Sequence, residues 1–355
     1  VTSPTHPPLA AHGSTSRTSA ATPANGISGL LWLTWRQHRW TILGALTIAA
    51  VLTGWMAYLA ADLTALYHQC HDTFCPPHSP QEATLRAPRG PVSVASDLLT
   101  VVRYAPLLIG VFIGVPLLAR EHEQRTLLLA WSQDVSPVRW LWTKLTLLGG
   151  FVAALTAVVS TESDHLAHVQ SNVAGAGVFA DPLFLESGML PLAVGVCWFA
   201  LGAALGAAIR RTLPAALGVI VGGVALMLGV HWRYPTLMTP LSLYTHFDEP
   251  DTGLLRNALL VKGGYLDGPA QPTNLFDSTG HELDYTTLNL LCPNPDPGAS
   301  LACLVRNHLQ THILYQPASR IPVFHLILAS GYLGLAVIAL VAVWLIVRRT
   351  NLSAG

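Results

Sequence analysis

Charge is what this sequence has least of. Only 11% of its 355 residues are Asp, Glu, Lys or Arg, where an average soluble domain carries about 25%. A water-soluble globule of this length has too few charges to cover its surface. Disorder over most of the chain is excluded as well, because disorder needs low hydrophobicity and high charge. Lysine is nearly absent, with Lys144 and Lys262 the only two. No G-x-x-x-x-G-K-[ST] run exists, so P-loop nucleotide hydrolysis by this chain alone is excluded. Neither G-x-S-x-G nor H-E-x-x-H occurs. Asp164-His165 after Ser160, and Ser278 near His281 and Asp284, are neighbours in sequence only, and a triad is defined by geometry. The chain is therefore read as a non-enzyme. Nineteen Lys and Arg balance nineteen Asp and Glu. That balance gives no electrostatic footprint for nucleic acid.

Half of the sequence is hydrophobic (51%), and the mean hydropathy is +0.45. A bilayer core about 30 Å thick needs roughly 20 apolar residues in helix. Six stretches qualify, near Thr41–Ala61, Leu98–Ala119, Leu141–Ser160, Met189–Ile209, Leu213–His231 and Val323–Val347. The expected fold is an all-α integral membrane protein with six transmembrane helices. Its largest external loop lies between helices five and six. Arg103 and Lys144 fall near span ends, where long side chains reach the interface. With the N-terminus inside, one side holds eleven cations and three acids, and the other eight cations and sixteen acids. The Arg36/Arg39, Arg210/Arg211 and Arg348/Arg349 clusters then all face inward, as the positive-inside rule requires. Both termini are expected in the cytoplasm of a multi-pass plasma-membrane protein.

The expected organisation follows. Residues 1–29 are Ser-, Thr-, Pro- and Ala-rich and are expected to form a disordered cytoplasmic tail. They lack the apolar core of a signal peptide. Residues 30–231 carry helices one to five, an N-terminal interfacial segment and a cytoplasmic loop at 120–144. Residues 232–322 are expected to form an extracellular cap. Residues 323–355 complete the chain with helix six and a cytoplasmic tail.

Five Cys occur, with no zinc-finger or C-x-x-C spacing. His68, Cys70, His71, Cys75 and His78 have the donor types of a zinc or copper site. The alternative is a loop closed by a Cys70–Cys75 disulfide, which an oxidising exterior favours. Cys292 and Cys303 form a second such pair, and Cys197 is left as a buried thiol. Fifteen His show no regular spacing. The loop after span two contains the apolar run Leu127–Trp131 between charged and turn-forming residues. It is too short to span, and reads either as a docking surface or as a segment folded back on its own bundle. Trp35, Arg36 and Arg39 suit an interfacial helix or a simple extension of span one.

Five motifs together resemble the ABC-2-type ABC transporter permeases, particularly the actinobacterial branch. They are Thr34-Trp35-Arg36-Gln37-His38-Arg39; Pro116-Leu117-Leu118-Ala119-Arg120-Glu121 with Thr126 and Ala130-Trp131-Ser132-Gln133; Arg139-Trp140 with Lys144; Arg210-Arg211-Thr212-Leu213-Pro214-Ala215; and Tyr315-Gln316-Pro317-Ala318-Ser319-Arg320. Arg125 stands where that family usually has Gly, and Ile321-Pro322 where aromatic residues are usual. The resemblance implies the permease subunit of an ATP-driven exporter, working as a dimer, most simply of two copies, with a separate cytoplasmic ATPase. It places the ATPase-coupling loop at Arg120, Glu121, Glu123, Thr126, Leu128 and Trp131, and an elbow helix at Trp35, Arg36 and Arg39. No cofactor is expected in this chain, since ATP and magnesium belong to the partner ATPase. The rival readings are a non-transporting sensor or immunity subunit that binds a ligand through 232–322, and a metal-binding membrane protein.

Overall fold

The computed structural model describes residues 26–70, 79–124, 137–174, 177–179, 183–246, 257–262, 275–293 and 297–352. In chain order the helices are α1 (Gly26–Gln69), α2 (Pro80–Arg86), α3 (Pro91–Ile109), a π-helical turn Gly110–Gly114 and α4 (Val115–Glu123). Next come α5 (Pro137–Ala174), α6 (Leu190–Ile209) and α7 (Thr212–Arg233). Strands β1 (Leu241–His246), β2 (Leu259–Lys262) and β3 (Leu275–Phe276) precede α8 (Tyr285–Leu291) and α9 (Pro297–Arg306). β4 (Gln310–Gln316) and α10 (Ile321–Leu352) close the described chain. The chain divides between Arg39 and Trp40 into two units. The first contains the helical start of α1, where Trp35, Arg36 and Arg39 are exposed.

Six helical segments are long and apolar enough to cross a membrane: His38–Gln69, Pro91–Glu123, Val138–Val173, Leu190–Ile209, Thr212–Thr236 and Ala318–Arg349. Several outrun their apolar stretches. At 1.5 Å per residue the 38 residues of α5 reach well past a core about 30 Å thick. The segments 62–97 and 161–188, which join the apolar stretches, are thus largely helical where they are described. The reason is packing rather than hydropathy. Near the ends of three of these segments, Leu59, Leu63, Ala95, Leu98, Leu166 and Ala167 bury one another in a single cluster. An apolar stripe on one face keeps a helix ordered while Glu162 and Asp164 lie along its other positions. Helix α2 begins with Ser79, whose side chain accepts a hydrogen bond from the Glu82 backbone N–H at 3.1 Å, followed by Pro80 in the first turn.

The central helix is α6. It packs against α10, α5, α3, the π turn, α4 and α7. The π turn has a local cause. Pro116 has no N–H to donate to the carbonyl four residues back. The helix widens there, and Val115 donates to Gly110 instead. Two G-x-x-x-G pairs, Gly110/Gly114 and Gly202/Gly206, bring this turn and α6 into backbone contact. A Cβ on Gly114 would lie 2.6 Å from the Phe199 carbonyl oxygen, and one on Gly206 2.5 Å from that of Val115. Gly206→Val is therefore expected to lower stability by about 1–3 kcal/mol through overpacking. Gly222→Val, where a Cβ meets nothing within 4 Å, should change it far less. Thermal unfolding of both variants in the same detergent checks this, and equal midpoints would refute the contact's importance.

Residues 241–316 add a four-stranded antiparallel sheet, the departure from helix among the described residues. Its order is β1-β4-β2, with β3 also paired to β4. β4 alternates in burial along residues 310–314, the period of a half-buried strand. A disulfide joins Cys292 to Cys303, with Cα atoms 5.8 Å apart, beside a small core of Leu275, Leu304 and Leu309. Asp284 caps α8 by accepting from the Thr287 backbone N–H at 3.0 Å. Hydrogen bonds from Thr286 and Thr287 pull its carboxyl down to about 2. The sheet is tied to the spans through Gln316, which donates to the Met238 carbonyl at 2.7 Å. Arg320 adds a bond to the Thr239 carbonyl at 2.7 Å.

Candidate coupling site

At the end of the bundle opposite the sheet, four helix ends converge. α4 ends at Glu123, α5 starts at Pro137, and α6 turns into α7 through Arg210 and Arg211. The turn is tight because Arg210 takes the left-handed conformation (φ 59°) and closes α6 by donating its N–H to Gly206 at 3.0 Å. α7 then begins with exposed backbone N–H groups and no side-chain cap of its own. Glu123 supplies one from α4. Its carboxylate accepts from the Thr212 backbone N–H at 2.8 Å and from Thr212 Oγ1 at 2.9 Å. An anion at a helix N-terminus is favourable for charge and for hydrogen bonding alike.

Two residues back on α4, on the opposite face of the helix, Glu121 points into the bundle and accepts a hydrogen bond from Lys144 Nζ of α5. Both side chains are buried. The ammonium also lies 4.4 Å from the centre of the Trp140 ring, a cation–π contact. Lys144 therefore does not snorkel as its position near a span end suggested. A buried cation with a carboxylate within reach forms the pair instead, since a lone charge there is costly. Arg103 behaves alike, donating from Nε to Glu186 at 3.0 Å.

Of the residues expected to couple to a partner, Arg120 is exposed, Glu121 is buried and Glu123 bonds α7. Thr126, Leu128 and Trp131 lie outside the described residues. Thr212 was not foreseen in this role, nor was Lys144 as Glu121's partner. The signal for the pair was present: a single Lys in an apolar stretch, with acids only in the adjoining loop. Cys70 is disulfide-bonded; Cys75, its expected partner, lies outside the described residues, as do His71 and His78. Cys197 is free and buried. Among the described residues no group of three or more His, Cys, Asp or Glu is placed to hold a metal ion.

The arrangement ties α4 to α5 and to α7 at the two ends of residues 125–136. Six helices of this length and apolarity define a multi-pass membrane protein. The family model for ABC-2 membrane transporter related proteins matches residues 46–234. The chain belongs to that family, and it is a membrane transporter permease. A second family model, a domain of unknown function (DUF8319), matches residues 236–321, the segment that carries the sheet. No curated protein and no solved structure matches the chain.

Proposed function

We propose that this chain is the permease subunit of an ATP-driven exporter, energised by a separate cytoplasmic ATPase. The observation that carries the reading is the bracing of three spans around residues 125–136. Glu121–Lys144 joins α4 to α5, and Glu123–Thr212 joins α4 to α7. A force applied to the intervening loop is thereby passed to all three helices as a unit. In this reading Arg120, Thr126, Leu128 and Trp131 meet the ATPase. Glu121 and Glu123 hold the loop's base rather than touching the partner. Two copies of the permease and two ATPase subunits complete the transporter.

The test is purification of the tagged chain from its native cells, identification of any ATPase that comes with it, and reconstitution of the two in liposomes. ATP-driven movement of a solute out of the cytoplasmic-side compartment supports the reading. A bound ATPase with no transport would favour a sensor or immunity subunit.

The charge distribution supports an orientation with the Arg210/Arg211 turn and both termini in the cytoplasm, and the 241–316 sheet outside. A Cys introduced at Ser353 should then resist a membrane-impermeant maleimide in intact cells and react after permeabilisation. Labelling in intact cells overturns the orientation.

A further inference from the structure

At the sheet end, a short turn is held by side chains from three helices. Phe184 is fully buried, between Phe179 at 5.0 Å and the His325 ring at 4.7 Å. The following residues are fixed at separate points. Glu186 receives the Arg103 bond from α3. The Gly188 N–H donates to the Asp164 carboxylate of α5 at 2.7 Å, and its carbonyl accepts from Ser160 Oγ at 2.7 Å. Ser187 Oγ lies 3.3 Å from His325 Nε2 of α10. Gly188 has φ +62°, and a Cβ there would lie 2.6 Å from His325 Nδ1. The turn closes in this way only with glycine at that position.

Directly against this turn lies a cavity of about 250 Å³. Arg103 and Glu186 form part of its wall, with Met227 and His231 of α7 and Tyr332 of α10. The remaining lining is mostly Leu, Val and Pro. An ion pair at one side of an apolar chamber suits an amphiphile, with an apolar body and one polar group. Ionisable residues inside a span mark functional sites by default. This pair is also more than a span needs for stability, because apolar residues of similar volume serve that purpose as well.

We propose that the cavity is a pocket for a small amphiphilic cargo, and that Leu185–Gly188 is its movable wall, hinged at Phe184 and bolted by Arg103–Glu186. The word cargo rests on the transporter reading above. The wall can release by breaking side-chain bonds at a few points, while the backbone hydrogen bonds of α3, α5 and α10 stay intact. The bonds reach three different helices, two of them to α5, so a relative shift of α3 against α5 or α10 loosens the turn.

The experiment uses the full chain in liposomes with Cys197→Ala and a reporter, Met227→Cys. The rate of reaction with a trimethylammonium-ethyl methanethiosulfonate is measured without ATP or ATPase. Glu186→Gln should speed labelling about tenfold, the factor produced by about 1.4 kcal/mol. Ser160→Ala removes one bond to Gly188 and leaves no buried charge; it should also speed labelling even where Glu186→Gln fails to fold. Exchanging the charges, Arg103→Glu with Glu186→Arg, should return the slow rate. A Ser160→Ala chain that labels at the parent rate, together with an exchange chain no slower than Glu186→Gln, overturns the latch. In the opened chain, decanoate and decyltrimethylammonium serve as probes of the occupant, with sucrose as control. Slowing by either amphiphile but not by sucrose supports the assigned class; no slowing by either overturns it. Because no ATPase is present, failure here leaves the export reading standing, and failure of ATPase co-purification leaves these rates unchanged.

Discussion

Lys144→Met is expected to cost the protein about 3–5 kcal/mol, because it leaves the Glu121 carboxylate buried without its ammonium partner. Total stabilities run from about 5 to 15 kcal/mol, so this single change removes a large share of the stability. The loss comes from the stranded charge rather than from the missing bond. The double variant Glu121→Leu with Lys144→Met should therefore recover most of the stability, since two apolar side chains fill the same space without desolvating an ion. Unfolding of parent, single and double variants in one detergent, followed by tryptophan fluorescence and size-exclusion profile, measures this. A double variant no more stable than Lys144→Met would show that the pair's geometry, not charge burial, sets the cost. A single variant as stable as the parent would remove the claim altogether.

Much of the membrane part was legible because hydropathy is a strong, local signal. Five of the six apolar stretches of the sequence lie within the candidate spans, and Met189–Ile209 exceeds its span by one residue. What hydropathy misses is packing. The outer extensions of α1, α3 and α5 carry ordinary polar residues, and they stay helical because Leu63, Ala95 and Leu166 meet one another across helices. That meeting depends on contacts distant in sequence. The four-stranded sheet was illegible for the same reason: β4 pairs with strands that precede it by tens of residues. The ion pairs occupy a middle ground. The rarity of Lys and Arg within the spans made Lys144 and Arg103 conspicuous, while the identity of the partner depended on which helix lay alongside. The Glu123 cap on α7 was the hardest to foresee, because it joins positions 89 residues apart. The left-handed Arg210 that shapes that turn has no Gly or Asn to announce it. The G-x-x-x-G pairs at 110/114 and 202/206 were readable as spacing, although the helix that each would meet was not.

The coupling end yields the second large effect, a separation of docking from transmission. If Leu127–Trp131 packs on the ATPase, each buried Leu contributes roughly 1.5–3 kcal/mol and a Trp at least as much. Leu128→Ala with Trp131→Ala should then weaken ATPase binding on the order of a hundredfold, since about 1.4 kcal/mol is a factor of ten. Glu123→Ala should act differently. It cuts the tie between α4 and the start of α7 while leaving the apolar run untouched, so the ATPase stays bound and cargo-linked ATP hydrolysis falls. Leu46→Ala, in span one, serves as the control that should spare both. Affinity of the purified permease for its ATPase, and transport per ATP hydrolysed in liposomes, are the two measurements. A double variant that inserts normally and holds the ATPase as tightly as the parent would show that this loop is not the docking surface. A Glu123→Ala chain that loses docking as well as coupling would place the carboxylate on the partner's surface, and the bracing of α7 would then be secondary to that contact.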